Sequence, residues 1–331
     1  MTLARYSVLA GACAVTLGIH GTTSPAPPHA TDSLPPPSWA FPGNPLDPVL
    51  HDSAAPRTLP DTRVTYNLRE LTDQFTAPDW YPASHPPMPG VVAQGRMPDL
   101  RACAYCHLPS GRGRPENAAL AGLPAGYIEA QLTAMRAGLR RPQLPNYRPG
   151  LRMHQVATQA TEAEIRTAAA YFASRPFRSG VEVREAVDVP SATEAGWLYH
   201  FAPGQGTQPL GTRILEGTTE LERHELRDPR LTYIAYVPVG SLRRGEALAN
   251  GTAAVPTPAC VGCHGPQLWG NDSIPPLAGR FPTYLLRQLL EFSNGSRASP
   301  AAAPMQAVAS TLSLEDMVAV AAYAASLRPQ H

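Results

Sequence analysis

The chain contains itself twice, and no other feature limits its possible folds so tightly. Laying Cys103-Ala104-Tyr105-Cys106-His107 on Cys260-Val261-Gly262-Cys263-His264 also lays Leu120-Ala121-Gly122 on Leu277-Ala278-Gly279. The same shift pairs Tyr127 with Tyr284, Gln131-Leu132 with Gln288-Leu289, Gly138 with Gly295 and Arg140 with Arg297. After a short deletion in the second copy, Met153 meets Met305, Val156-Ala157 meets Val308-Ala309, Glu164 meets Asp316 and Tyr171 meets Tyr323. Similarity sustained over that length marks two copies of one domain. A chain of 331 residues has room for two such cores and their connections.

Each copy reads as mainly α-helical. The stretch after Tyr127 carries apolar residues at helical spacing and stops near Gly138; Tyr284 to Phe292 repeats it and stops at Asn294-Gly295. Thr161 with Glu164, and Ser313 with Asp316, open the last helix of each copy with the residue pair of a capping box. A short helix is expected before each cysteine motif, over Val91 to Arg96 in the first copy and from Gly240 to Asn250 in the second. The organisation expected is a signal segment over 1–21, a proline-rich extended tether over 22–60 and an irregular lead-in over 61–85. The first repeat domain follows over 86–176, then a connection over 177–237 and the second domain over 238–331. Short β-favouring runs in the connection, Thr212 to Leu215 and Leu231 to Val237, suggest a small hairpin or arm around the charged stretch Glu220 to Arg230.

A net charge of +1 with 16% charged residues argues against a nucleic-acid binder, which needs a basic excess. At the N-terminus, Arg5 precedes an apolar run from Val8 to Ile19 that suits a secretory signal and is too short to span a bilayer. Export to the periplasm is expected, with an uncleaved N-terminal anchor as the alternative. Cys13 lies inside this segment, and Pro27 obscures any cut after Ser24-Pro25-Ala26. The other cysteines form two pairs, so none is left over for a disulfide staple.

Each cysteine pair has the x-x spacing and a histidine directly behind it, the pattern of c-type haem attachment. Two thiols three positions apart on one helical turn reach the two vinyl groups of one porphyrin, and the next residue lies under the iron. Cys103, Cys106, Cys260 and Cys263 are therefore the expected thioether residues, with His107 and His264 as iron ligands. Two covalently attached haem c groups follow. A zinc site lacks a second ligand pair at finger or ribbon distance, and a thioredoxin-like motif lacks its βαβ context. Of the seven methionines, Met153 and Met305 are the pair that both copies keep, each expected in a proline-rich loop before the last helix. A thioether is a soft ligand that raises the reduction potential relative to bis-histidine ligation. His154 is the rival ligand in the first copy, because Gln306 stands opposite it. Arg140, Arg297, Tyr127 and Tyr284 are weaker candidates for the haem edge or propionates, with solvation and core packing as their ordinary alternatives. Pro276 is placed to offer its carbonyl to the second ring nitrogen of His264, with Ala119 at that position in copy one.

These residues resemble a class I cytochrome c domain. Each copy has CxxCH, a P-x-L-A-G-like segment, a Y-x-x-x-Q-L helix, a G-x-R turn, a methionine and a closing A-Y-x-A-S-like helix. The tandem is similar to periplasmic di-haem cytochromes made of two fused class I domains, over roughly 86–176 and 238–328. The match departs at Leu108, where the family usually has the glycine that copy two keeps as Gly265. The resemblance implies an electron carrier that exchanges single electrons with a donor and an acceptor redox protein. A di-haem enzyme (a peroxidase, or one that oxidises sulfur compounds) with a modified first site is one alternative. The other is an electron-transfer subunit of a membrane-associated dehydrogenase or respiratory complex.

Overall fold

The computed structural model describes residues 35–43, 52 and 54–330; the signal segment, Cys13 and most of the expected tether lie outside them. The first copy and its lead-in comprise α1 (Leu68–Thr72), α2 (Gly90–Ala93), α3 (Cys103–His107), α4 (Ala125–Arg136), α5 (Arg148–Gln159) and α6 (Glu162–Ala173). The connection contains β1 (Val181–Ala186), β2 (Asp188–Pro190), β3 (Ala192–Ala195), β4 (Leu198–Phe201), β5 (Thr207–Pro209) and β6 (Leu215–Thr218). It closes with α7 (Leu221–Glu225) and β7 (Tyr233–Pro238). The second copy has α8 (Ser241–Ala249), α9 (Val261–His264), α10 (Pro282–Ser293), α11 (Ala303–Ala309) and α12 (Leu314–Ser326). Among the described residues, no single helix is long and apolar enough to cross a membrane.

The helices begin and end where local chemistry dictates. Glu164 N–H donates to Thr161 Oγ1 at 3.2 Å while Glu164 Oε2 accepts from Thr161 N–H at 2.7 Å. Ser313 and Asp316 make the same reciprocal pair, so both closing helices carry the capping box read from the sequence. Gly138 and Gly295 follow α4 and α10 with φ of 70° and 74°, a left-handed turn that costs glycine nothing. In copy two, α8 packs on α12 so closely that Gly245 faces the Ala319 backbone with no room for a Cβ. The counterpart in copy one, α2, is a single turn that packs on α3 and α6.

The connection is more than the expected hairpin. Its strands form a five-stranded mixed sheet in the order β1-β7-β6-β4-β3, and β2 pairs with β5 separately. β1 runs parallel to β7 with Val181 opposite Tyr233, β7 runs antiparallel to β6, and β6 runs parallel to β4. Val181, Leu198, Ile214, Tyr233, Ala235 and Val237 share one core with the helices of copy two. Val189, Tyr199, Phe201, Leu210 and Leu215 form a separate cluster. Burying such a side chain contributes about 1.5–3 kcal/mol, so the sheet is held to copy two by its own apolar faces. Copy one keeps a separate core around Val92, Tyr105, Ile128, Ala169 and Phe172.

The described part of the segment expected as a tether also packs against the body. Ala40 is fully buried, Phe41 meets Tyr147 edge-on at 5.3 Å, and Arg287 Nη1 donates to the Ala40 carbonyl at 3.0 Å. Apolar residues set among the prolines, Trp39-Ala40-Phe41 and Leu59, supply the driving force that the composition obscured.

Candidate haem sites

In copy one, α3 holds Cys103, Cys106 and His107 on one turn, with His107 8% exposed. His107 Nδ1 lies 2.8 Å from the Ala118 carbonyl, and His264 Nδ1 lies 2.9 Å from the Pro275 carbonyl. A carbonyl only accepts, so both rings carry their proton on Nδ1 and leave Nε2 free as a ligand atom. Burial lowers both imidazoles below their ordinary range and keeps them neutral. The accepting residue is Pro275, one position before the expected Pro276, and its repeat partner is Ala118 rather than Ala119. The acceptor is backbone, so the change from proline to alanine does not disturb it.

The segment after each motif turns identically despite the departure at Leu108. Leu108 takes φ 64° where Gly265 takes 74°. A leucine in this positive-φ extended region, otherwise almost confined to glycine, carries about 1–3 kcal/mol of strain, opposed by burial of its side chain to 2% exposure.

Met153 and Met305 lie on helices, α5 and α11, not in the loops expected from their prolines. Pro149 and Pro304 sit within the first two residues of these helices, where a missing N–H is harmless and the fixed φ favours the first turn. Met153 and His154 both line a partly open cavity that Cys103, Cys106 and His107 also line. Met305 is half-buried against the core of copy two.

The cavity runs from α3 to the boundary between the copies, where the four weaker candidates meet. Arg140 donates to Gln131 Oε1 at 3.0 Å within its own copy, and to Gln288 Oε1 at 2.7 Å and Tyr284 Oη at 3.4 Å in the other. Arg297 mirrors it, donating to Gln288 Oε1 at 3.1 Å, Gln131 Oε1 at 2.6 Å and Tyr127 Oη at 3.3 Å. Burial pushes the Tyr127 phenol up, but the flanking Arg297 and Arg140 outweigh it and leave the phenol below its ordinary value. The glutamines were visible in the repeat, yet their role needs the two copies face to face. Two further lining residues, Trp197 and Arg227, come from the connection and had no signal in the sequence.

The donor set fits haem c. Several polar atoms lining the cavity are buried without a protein partner, among them His154 Nδ1, Tyr147 Oη and both amide atoms of Gln143. Buried polar groups left this way call for a ligand. Burial also pushes the Cys103 thiol up to about 12, so it is not poised as a metal thiolate. Among the described residues, no group of three or more His, Cys, Asp or Glu is placed to hold a metal ion, so the two cysteine pairs do not converge as a zinc site.

Comparison with known proteins bears on the same residues. The family model described as Cytochrome c matches residues 248–328, which is copy two from the end of α8 through α12. Cytochrome c4 of Pseudomonas aeruginosa is 38% identical over 84 residues, covering 24% of this chain and 42% of its own length. Cytochrome c4 of Stutzerimonas stutzeri is 34% identical over 129 residues, covering 34% of this chain and 60% of its own. Copy two is a cytochrome c domain, and its repetition in copy one together with the cytochrome c4 likeness supports a di-haem cytochrome c. The chain's fold is mainly α, two tandem class I domains joined by the β-containing connection, and its cofactor is covalently bound haem c. The solved structure of cytochrome c4 from Acidithiobacillus ferrooxidans aligns with 68% of this chain and 98% of its own, at 25% identity and a TM-score of 0.46. The matched stretches span between about two fifths and three fifths of the length of the two curated relatives.

Proposed function

We propose that this cytochrome is an exported, periplasmic electron carrier, taking single electrons from one redox protein and passing them to another. The observation that carries the reading is the boundary cluster, where equivalent Arg140 and Arg297 join the two copies beside the cavity. Haem c supplies the one-electron ferric/ferrous couple when bound. His107 and His264, each held with a neutral Nε2 free, would bind the iron, and Met153 and Met305 would each supply a thioether ligand. Cys103, Cys106, Cys260 and Cys263 would hold the porphyrin through thioether bonds. Arg140, Tyr127 and Tyr284 line the boundary end of the cavity, and with Arg297 hydrogen-bonded to them through Tyr127 and Gln131 they would stabilise haem carboxylates there. Thioether ligation at both sites would leave no open iron position for substrate, which favours carriage over turnover.

The test is haem stoichiometry and redox cycling of the purified holoprotein. Two haems per chain, both low-spin and both reversibly reduced by a protein donor, are expected. One high-spin haem with rapid peroxide turnover would replace the carrier with an enzyme.

A further inference from the structure

We propose that other proteins exchange electrons with this cytochrome only at the exposed face of the second motif. The first haem site is then reached from within, across the Arg140–Arg297 boundary. The inference rests on the carrier reading and assigns its two sites different tasks.

Equivalent positions of the two copies differ in what covers them. Pro109, Arg114, Pro115 and Glu116 are buried, whereas their repeat partners Pro266, Asn271, Asp272 and Ser273 are exposed. Gly262 and Cys263 are also exposed, while their partners Tyr105 and Cys106 are 5% exposed and half-buried, respectively.

The cover over the first motif is specific. Arg227 places its guanidinium 3.6 Å from the centre of the Tyr105 ring and donates to the Tyr105 carbonyl at 2.8 Å. Arg112 donates to the Pro229 carbonyl at 2.7 Å and the Ser179 carbonyl at 2.5 Å, and Arg114 to the His224 carbonyl at 3.2 Å. Arg287 of copy two reaches the Pro115 carbonyl at 2.5 Å. From the lead-in, Trp80 Nε1 donates to the Leu226 carbonyl at 2.7 Å and pins α7 in place. Trp197, with Arg152 5.3 Å from its ring centre, completes the wall beside Cys106. A protein donor docking from outside meets the connection here, not the motif.

The open face has its own chemistry. Residues 259–277 carry one formal charge, Asp272, and present Gly262, Pro266, Gln267 and the partly exposed Trp269. The partner that fits is a redox protein with a similarly uncharged patch around its own cofactor. Its association should depend weakly on salt, because steering needs charge on both sides. In each encounter the donor loses one electron and one ferric iron becomes ferrous, with no other reactant consumed.

The test uses the holoprotein with a bulky polyethylene glycol coupled to a new thiol, either Asp272→Cys or Val187→Cys. Val187 lies on the connection and is 70% exposed. Reduction by a ferrous mono-haem cytochrome c is followed by stopped flow. The Asp272→Cys conjugate should slow the whole absorbance change by at least about tenfold, and the Val187→Cys conjugate by less than about twofold. Half of the haem still reducing at the native rate in the Asp272→Cys conjugate would overturn the proposal. A second readout needs no turnover: amide signals of Gly262 and Asn271 should shift on adding the donor, whereas shifts confined to Trp197 and Arg227 would also overturn it. If the unmodified protein accepts no electrons, it is the carrier reading that fails.

Discussion

Arg140 and Arg297, equivalent residues of the two copies, bridge backbone to backbone, and each donates to the glutamine of the opposite copy, at 2.7 and 2.6 Å. The repeat is thus joined to itself by its own repeated residues, and the boundary is close to a local two-fold.

Replacing Arg140 tests how much this joint contributes. Arg140→Met removes charge-assisted hydrogen bonds in a buried setting and should cost about 1.5–3 kcal/mol, read as a lower Tm. Arg141→Met changes an exposed neighbour and should stay within about 0.5 kcal/mol.

The axial assignments are separable by spectroscopy of the holoprotein. Met153→Ala and Met305→Ala should each remove half of the thioether-to-iron charge-transfer absorption, and the double variant all of it. His154→Ala should leave the band intact. Loss of the first site's signal in His154→Ala, with Met153→Ala silent, would assign that ligand to the histidine instead.

The α8–α12 contact predicts a large effect from one methyl group. Gly245→Ala drives a Cβ into the Ala319 carbonyl and the Tyr323 side chain. Overpacking of this kind costs about 1–3 kcal/mol, which urea or thermal unfolding would register. An exposed helical control, Gly262→Ala, meets nothing within 4 Å and should not destabilise the fold.

Glu216 on β6 gives a pH dependence of known sign. Burial pushes its carboxyl up to about 7, although Thr283 N–H donates to Oε2 at 3.1 Å. Between about pH 4.5 and 7 the folded chain keeps a proton that the unfolded chain has released, so stability falls as pH rises through that window. At 1.36 kcal/mol per unit, the loss is roughly 3 kcal/mol. Glu216→Gln should flatten the profile and be the more stable form at pH 8; an unchanged slope would show that another group titrates.

The sequence was most legible where structure is local and repeated. Both capping boxes, the turns at Gly138 and Gly295, and the helices after Tyr127 and Tyr284 lie where spacing and residue type put them. The methionine helices were missed because proline reads as a break, although Pro149 and Pro304 sit where proline starts a helix. The sheet was missed for a different reason. Its strands are three to six residues long, and β1 finds β7 only after the whole connection has been traversed. Trp197 and Arg227 were invisible as parts of a haem site because their contacts join residues far apart in the chain. The wall they build separates the two motifs more than any difference between Tyr105-Cys106 and Gly262-Cys263.

The parallel pairing of β1 with β7 has one more consequence. Tyr233 N–H donates to the Gly180 carbonyl at 2.9 Å, so the chain leaves copy one at Gly180 and later returns beside the same point. The connection is a closed excursion, a cassette whose two ends already meet. Such a segment can be lengthened, shortened or exchanged during evolution without moving the two haem domains relative to each other. Accessibility of the first site and geometry of the pair can therefore change independently.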